Sequence, residues 1–220
     1  MKNFVAKLTG LFLGNKKMDN NNSEPFKVLR TQPTPNPESL QFILNQPVIV
    51  VGTKTYSDPE ETAGDALGEA LFKIFGIENV FFKEHFVTVT KSSIVGWHSL
   101  IEEVTKVLES SLVRYTISDE MKRPTADFGQ IKTEFTADEF IEFTDAQKRD
   151  VIDAIFEHSI RPALAYDGGG LTLEEIRGNV VRIHYQGACG SCPSSRAGTL
   201  SYIETILKEH LHPSLQVEAV

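Results

Sequence analysis

At 220 residues the chain is long for one small domain and suits two modest ones with a connector. Hydrophobic residues make up 40% and charged residues 24%, an ordinary globular balance rather than a disordered one. With 30 acidic against 22 basic residues the formal net charge is −8, and no Lys/Arg cluster marks a surface for a phosphate backbone, which argues against nucleic acid as a partner.

No apolar run approaches the ~18 residues needed to cross a bilayer, so no membrane partner is expected. Residues 1–17 place Phe4, Val5, Leu8, Leu11, Phe12 and Leu13 among Lys2, Lys7, Lys16 and Lys17. A signal peptide needs a longer apolar centre and a small-residue cleavage site, and a transit peptide normally carries Arg, which this stretch lacks. The expectation is a cytoplasmic bacterial protein, with the mitochondrial matrix as the alternative. Residues 1–25 read as a frayed tail, or in part as residues upstream of a start at Met18.

Order is expected from about Phe26. The run Thr31-Gln32-Pro33-Thr34-Pro35-Asn36-Pro37 excludes helix and favours an extended edge or a loop. Leu40–Leu44 and Val48–Val51 read as strands. Asp58 with Pro59 and Glu61 predicts a capped helix that continues through Ala66, Leu67, Ala70, Leu71, Ile74 and Phe75, ending at Gly76 in a left-handed conformation. Val80–Phe82 and Phe86–Val89 predict a hairpin, and Trp97 to Leu112 a second helix burying Trp97, Leu100, Ile101, Val104, Val107 and Leu108. Residues 26–114 thus read as one ββαββα domain.

From 115 to 143 the periodicity fails. Phe128, Phe135, Phe140 and Phe143 are scattered in an acidic background, which reads as a linker whose phenylalanines could dock transiently on a domain. Residues 144–220 open with a second capping-box spacing, Thr144 to Gln147. A helix bent at Arg161-Pro162 leads to Asp167-Gly168-Gly169-Gly170, then two strands, a helix from Pro193 to about His210, and a candidate short last strand. The chain as a whole is expected to be α+β, two small mixed domains (ββαββα, then αββα plus that last strand) joined by an acidic linker.

The only cysteines, Cys189 and Cys192, stand in Gly187-Ala188-Cys189-Gly190-Ser191-Cys192-Pro193-Ser194-Ser195, between a strand and a helix. The amides and partial positive charge of a helix N-terminus favour thiolate, the form that binds metal or attacks disulfides. A tetrahedral zinc or a cubane cluster commonly takes four cysteines. Two thiols are therefore half of a site completed across a two-fold axis by a second copy, or a dithiol redox pair acting alone. A thioredoxin-like enzyme needs a larger sheet, with its pair early in the domain. His184 is a weaker metal candidate and reads as a partly exposed strand residue; His210 and His212 suit a helix C-terminus. Asp167 with its glycines reads equally as a turn needing positive φ or as a shaper of the site.

The segment from about Asp145 to Val220 resembles the NifU C-terminal (Nfu-type) scaffold domain. The resemblance is carried by Arg161-Pro162-Ala163-Leu164, Asp167-Gly168-Gly169-Gly170 and, above all, residues 187–195. Residues from about Phe26 to Arg114 resemble the accessory N-terminal domain of Nfu proteins, through Thr34-Pro35-Asn36-Pro37 and Leu40-Gln41-Phe42. This resemblance implies a [4Fe–4S] cluster held by Cys189 and Cys192 of each of two subunits, with a [2Fe–2S] form left open. It further implies an upstream scaffold as donor, apo iron–sulfur proteins as acceptors, and a carrier rather than an enzyme. Two rivals stand beside it: a CxxC dithiol oxidoreductase and a zinc-stapled dimeric interaction module.

Overall fold

The computed structural model describes residues 25–49, 52–111, 135–191 and 193–220, and in it two β-sheets each gather a separate apolar core. The first sheet is antiparallel throughout, in the order β1-β2-β5-β4-β3. Its strands are β1 (Val28–Pro33), β2 (Ser39–Leu44), β3 (Thr53–Tyr56), β4 (Ile77–Lys83) and β5 (Phe86–Lys91). Strand parity sends Leu40, Phe42, Leu44, Val80, Phe82, Val87 and Val89 to one face. There they meet Leu67 and Leu71 of helix α1 (Ala66–Phe72) and Leu100, Val104 and Leu108 of helix α2 (Trp97–Ser111). Prolines confine β1 to the edge, as its sequence implies.

Three expectations change here. The first domain is βββαββα rather than ββαββα. Val48 and Ile49 form no extended strand; both are fully buried core, held by their N–H groups on the Glu84 carbonyl of the β4–β5 turn, and Val50 and Val51 lie outside the described residues. The third strand is instead Thr53–Tyr56, whose polar residues carry a weak strand signal. The single helix read from Asp58 to Phe75 is two pieces. Asp58 caps only a 3-10 turn over Pro59–Thr62, and Asp65 caps α1 by accepting the N–H groups of Leu67 and Gly68 at 3.1 and 3.0 Å. Gly64, with φ +84, separates them. Gly76 has the expected positive φ, but Phe75 stands 75% exposed beyond the helix, and Ile101 of α2 is likewise exposed.

In the second domain, β6 (Gly169–Arg177) and β7 (Val180–Gly187) form an antiparallel hairpin, and β8 (Gln216–Ala219) joins β7 in parallel. A parallel return requires a crossover, which α7 (Pro193–His210) supplies, burying Ile203 and Leu207. Glu204 fastens this crossover. Its carboxylate accepts from Lys208 and from the Val217 N–H at 3.0 Å, and the two together, Lys208 foremost, hold it below the usual carboxylate range. Helix α3 (Ala137–Ile141) and helix α4 (Asp145–Ile155) both begin with complete capping boxes, Thr136/Glu139 and Thr144/Gln147. A π turn over Phe156–Ile160 joins α4 to α5 (Arg161–Tyr166). It absorbs the bend that Pro162 forces, since a proline nitrogen cannot donate to the preceding helical turn.

The stretch read as linker is therefore ordered at its end. Phe135 packs against Phe140 and Phe143, with ring centroids 6.0 and 5.0 Å apart, and Phe140 is fully buried in the second core. The periodicity failed because three aromatic residues within nine positions carry one five-residue helix, too short to show a period. Phe128 lies outside the described residues. Phe140→Ala should lower the stability of the second domain by about 3–5 kcal/mol. Urea unfolding monitored by circular dichroism measures this; an unchanged midpoint would mean that 135–143 merely rests on the surface.

Candidate metal-binding loop

Strand β7 ends at Gly187, and the chain turns at once into the short helix α6 (Ala188–Ser191) and then into α7. Two glycines make this turn possible. Gly187 has φ +61 and Gly168, at the start of the opposing strand's approach, has φ +80; both values are open to glycine at little cost. They also approach too closely for side chains. A Cβ on Gly187 would lie 2.7 Å from the Gly168 carbonyl oxygen and 2.9 Å from the Phe81 ring, and the Ala188 N–H donates to that same carbonyl at 3.2 Å. So Asp167-Gly168-Gly169-Gly170 is the floor under the cysteine loop. Asp167 itself closes α5, its N–H bonded to carbonyls of that helix, which answers the turn reading of this motif.

Cys189 lies on α6 and is 8% exposed, counted within the second core. Its Sγ occupies space that exists because residue 169 is glycine: a Cβ there would overlap the sulfur and stand 2.9 Å from the Gln186 carbonyl oxygen. Cys192 lies outside the described residues, so its placement relative to Cys189 rests on the sequence alone. Among the described residues no three His, Cys, Asp or Glu side chains converge on one point.

His184 is the strand residue expected, while His212 contacts Ser214 in place of the helix carbonyls that its position suggests. His184 is exposed on β7, its Nδ1 3.2 Å from the Val220 carbonyl oxygen. His212 accepts the Ser214 N–H at 3.1 Å just beyond α7, and His210 is exposed in the last turn of that helix.

The first domain adds residues that sequence reasoning leaves out. Asn36 of the proline-rich turn donates its side-chain amide to the Ala188 carbonyl at 3.3 Å. Thr53 donates to the Gln186 side-chain oxygen at 3.0 Å, and Gln41 donates to the Ala165 carbonyl at 2.9 Å. A cleft of about 310 Å³ opens at this junction, lined by Asn79 and Thr90 from one domain and by His184, Tyr185 and Gly190 from the other. The available signal was parity. Phe81 sits between inward Val80 and Phe82, so it must face away from its own core.

Two family models match separate parts of the chain. The family described as "Scaffold protein Nfu/NifU N terminal" matches residues 29–114, and the "NifU-like domain" matches residues 152–218. The chain belongs to the NifU-like, Nfu-type family. NifU-like protein 4, mitochondrial, of Arabidopsis thaliana is 31% identical over 86% of this chain and 65% of its own length. The NFU1 iron-sulfur cluster scaffold homolog, mitochondrial, of Drosophila persimilis is 30% identical over 87% of this chain and 64% of its own. This Nfu-type chain thus spans a little under two thirds of these relatives. A solved NifU-like protein from Saccharomyces cerevisiae is 20% identical, covers 54% of this chain and 99% of its own, and superposes with a TM-score of 0.39. Among the described residues no helix is long and apolar enough to cross a membrane.

Filling the slot beneath the sulfur tests this geometry. Gly169→Ala should expel the Cys189 side chain and raise its rate of alkylation by iodoacetamide under native conditions, at a stability cost of about 1–3 kcal/mol from overpacking. Peptide mass spectrometry reads the rate at Cys189, and a rate equal to that of the natural chain would place the thiol elsewhere.

Proposed function

We propose that this Nfu-type chain is an iron–sulfur cluster carrier. It receives a [4Fe–4S] cluster from an upstream assembly scaffold, holds it between two copies of itself through Cys189 and Cys192 of each, and delivers it to apo-proteins. The observation that carries this reading is the Cys189-Gly190-Ser191-Cys192 motif on a glycine-turned connection between β7 and α7, in a chain with no other cysteine. Two thiolates are half of the set a cubane cluster commonly takes, and a second copy related by a two-fold axis brings the same loop and the other half. The name of the Drosophila persimilis relative, an iron-sulfur cluster scaffold homolog, supports the same cargo.

Delivery needs no general base. An incoming acceptor thiolate forms a bond to iron while a thiolate of this chain leaves it, one ligand at a time, and no net oxidation or reduction occurs. This is ligand exchange by a carrier, not turnover by an enzyme. The names of the Arabidopsis and Drosophila relatives favour the mitochondrial matrix, the alternative, over the cytoplasm for the place where it happens.

Anaerobic reconstitution with iron and sulfide, followed by visible absorption, iron analysis and light scattering, tests the carrier reading. A brown dimer with a broad band near ~400 nm and roughly two irons per chain is expected. Cys189→Ser and Cys192→Ser should each abolish stable binding, and a single mutant that still holds a full, transferable cluster would defeat the scheme. A colourless monomer cycling between dithiol and disulfide would instead make the chain an oxidoreductase; a colourless dimer with half a zinc per chain would make it a zinc-stapled module.

A further inference from the structure

The first sheet has two faces, and only one meets its own helices. The other carries Ser39, Gln41 and Ile43 of β2, Thr53 and Thr55 of β3, Phe81 of β4, and Phe86, Thr88 and Thr90 of β5, so it is mostly polar. In an isolated antiparallel sheet with helices on one side, such a polar face stands in water. Here it is buried: Gln41, Thr90 and Ser39 are each 2% exposed, and Thr88 and Phe81 are 0%.

What covers it is the floor and wall of the cysteine loop. The Phe81 ring lies over Gly187 and Gly170, where added Cβ atoms would come within 2.9 and 3.1 Å of it. Thr34, Gln41 and Thr88 surround Gly168 in the same way, the nearest at 2.8 Å from a Cβ placed there. Asn36 reaches the Ala188 carbonyl, one residue before Cys189. The Thr34-Pro35-Asn36-Pro37 turn is built for this reach: Thr34 Oγ1 shares its one O–H between the Asn36 and Ser39 carbonyls, at 2.9 and 3.1 Å, and accepts the Asn36 N–H at 3.2 Å. Flanking prolines fix φ on both sides of the asparagine.

We infer that the first domain is a releasable cap on the chain's own cysteine loop, with the Thr34–Pro37 turn as its clasp and Phe81 as its anchor. The contact has the polar character of a separable interface rather than of a fused core. It also leaves the Thr88 hydroxyl, beside Gly168 of the other domain, buried without a hydrogen-bond partner, and parting the domains would return it to water. Closed, the cap clasps the loop at Ala188 while Cys189 is stowed against Gly169. Open, it frees the loop to meet a second copy. This cap deepens the carrier reading above and rests on it only for what the freed loop then binds.

The test uses the full apo chain. Phe81→Glu places a charge on the outer face and leaves the first domain's own core untouched; Thr88→Lys does the same from β5. Both variants are checked for folding by circular dichroism and tryptophan fluorescence, and any that unfolds is replaced by the other. A closed state with an open minority of 10% or less would give at least about tenfold faster iodoacetamide alkylation at Cys189 on release. Small-angle X-ray scattering on dilute samples should show a larger radius of gyration at unchanged monomer mass. Folded variants with alkylation rate and radius both equal to those of the natural chain would overturn the cap. Iron and sulfide loading, run in parallel, separates the two proposals. Loading without any change in alkylation or radius removes the cap and leaves the carrier; faster alkylation with a larger radius in a chain that never takes up iron removes the carrier and leaves the cap.

Discussion

The structure turns on one close approach, that of Gly168 and Gly187 across the open end of the β6–β7 hairpin. Because neither has a Cβ, the Ala188 N–H can bond the Gly168 carbonyl, the hairpin can end in a tight turn, and the chain can enter α6 and α7 from a fixed point. The same missing atoms let Phe81 and Thr34 of the other domain settle onto the backbone. One steric fact therefore serves the local turn, the placement of Cys189 and the junction of the domains. A side chain at either position would disturb all three, which is why a glycine here means more than a flexible loop.

The junction differs in kind from the two cores it separates. Each core is aliphatic and aromatic, with residues such as Phe42, Phe82, Phe140 and Phe156 fully buried. The junction is mostly hydroxyl and amide around one aromatic ring. Burying that ring is worth about 1.5–3 kcal/mol, and the orphaned Thr88 hydroxyl gives back about 1–3 kcal/mol, which offsets much of what Phe81 contributes. Among the described residues, side-chain hydrogen bonds from Asn36, Gln41 and Thr53 cross the junction, each trading one water contact for one protein contact. A balance this near even holds two domains together without making them one.

The elements with strong periods were legible in the sequence. The β4–β5 hairpin, α2 and α7 lie where alternation and helical spacing put them, and the capping box at Thr144 starts α4 as read. The failures have local causes. A capping signal at Asp58 is real, yet Asp65 seven residues later carries a stronger one, and Gly64 between them cannot hold the helix continuous. Apolar Val48-Ile49 outcompeted polar Thr53–Tyr56 as a strand candidate because burial and strand formation, usually correlated, part company there. The spacing of Cys189 and Cys192 by itself leaves metal binding and dithiol redox chemistry open, and it is the resemblance to the Nfu-type domain that favours a cluster. The residues that touch the cysteine loop were not legible. Asn36 and Phe81 lie 152 and 107 positions before Ala188 and Ala188's neighbourhood is reached only through tertiary packing, which no local pattern records.

A two-cysteine motif and a cap on the same loop constrain each other. A bridging site needs an isologous contact, in which the loop of one copy faces the loop of its partner across the two-fold axis. A loop clasped by its own Asn36 and overlaid by its own Phe81 lacks that free surface, so capping and pairing compete for one face. Pairing is then weakened, for each copy, by the fraction of chains that are open. Both copies must open, so the effect on the dimer enters as the square of that fraction. Under the proposed carrier reading, a cap of even modest strength would keep the unloaded chain monomeric while leaving the loaded pair accessible, and a partner that binds the outer face of the first sheet would favour pairing without touching a cysteine.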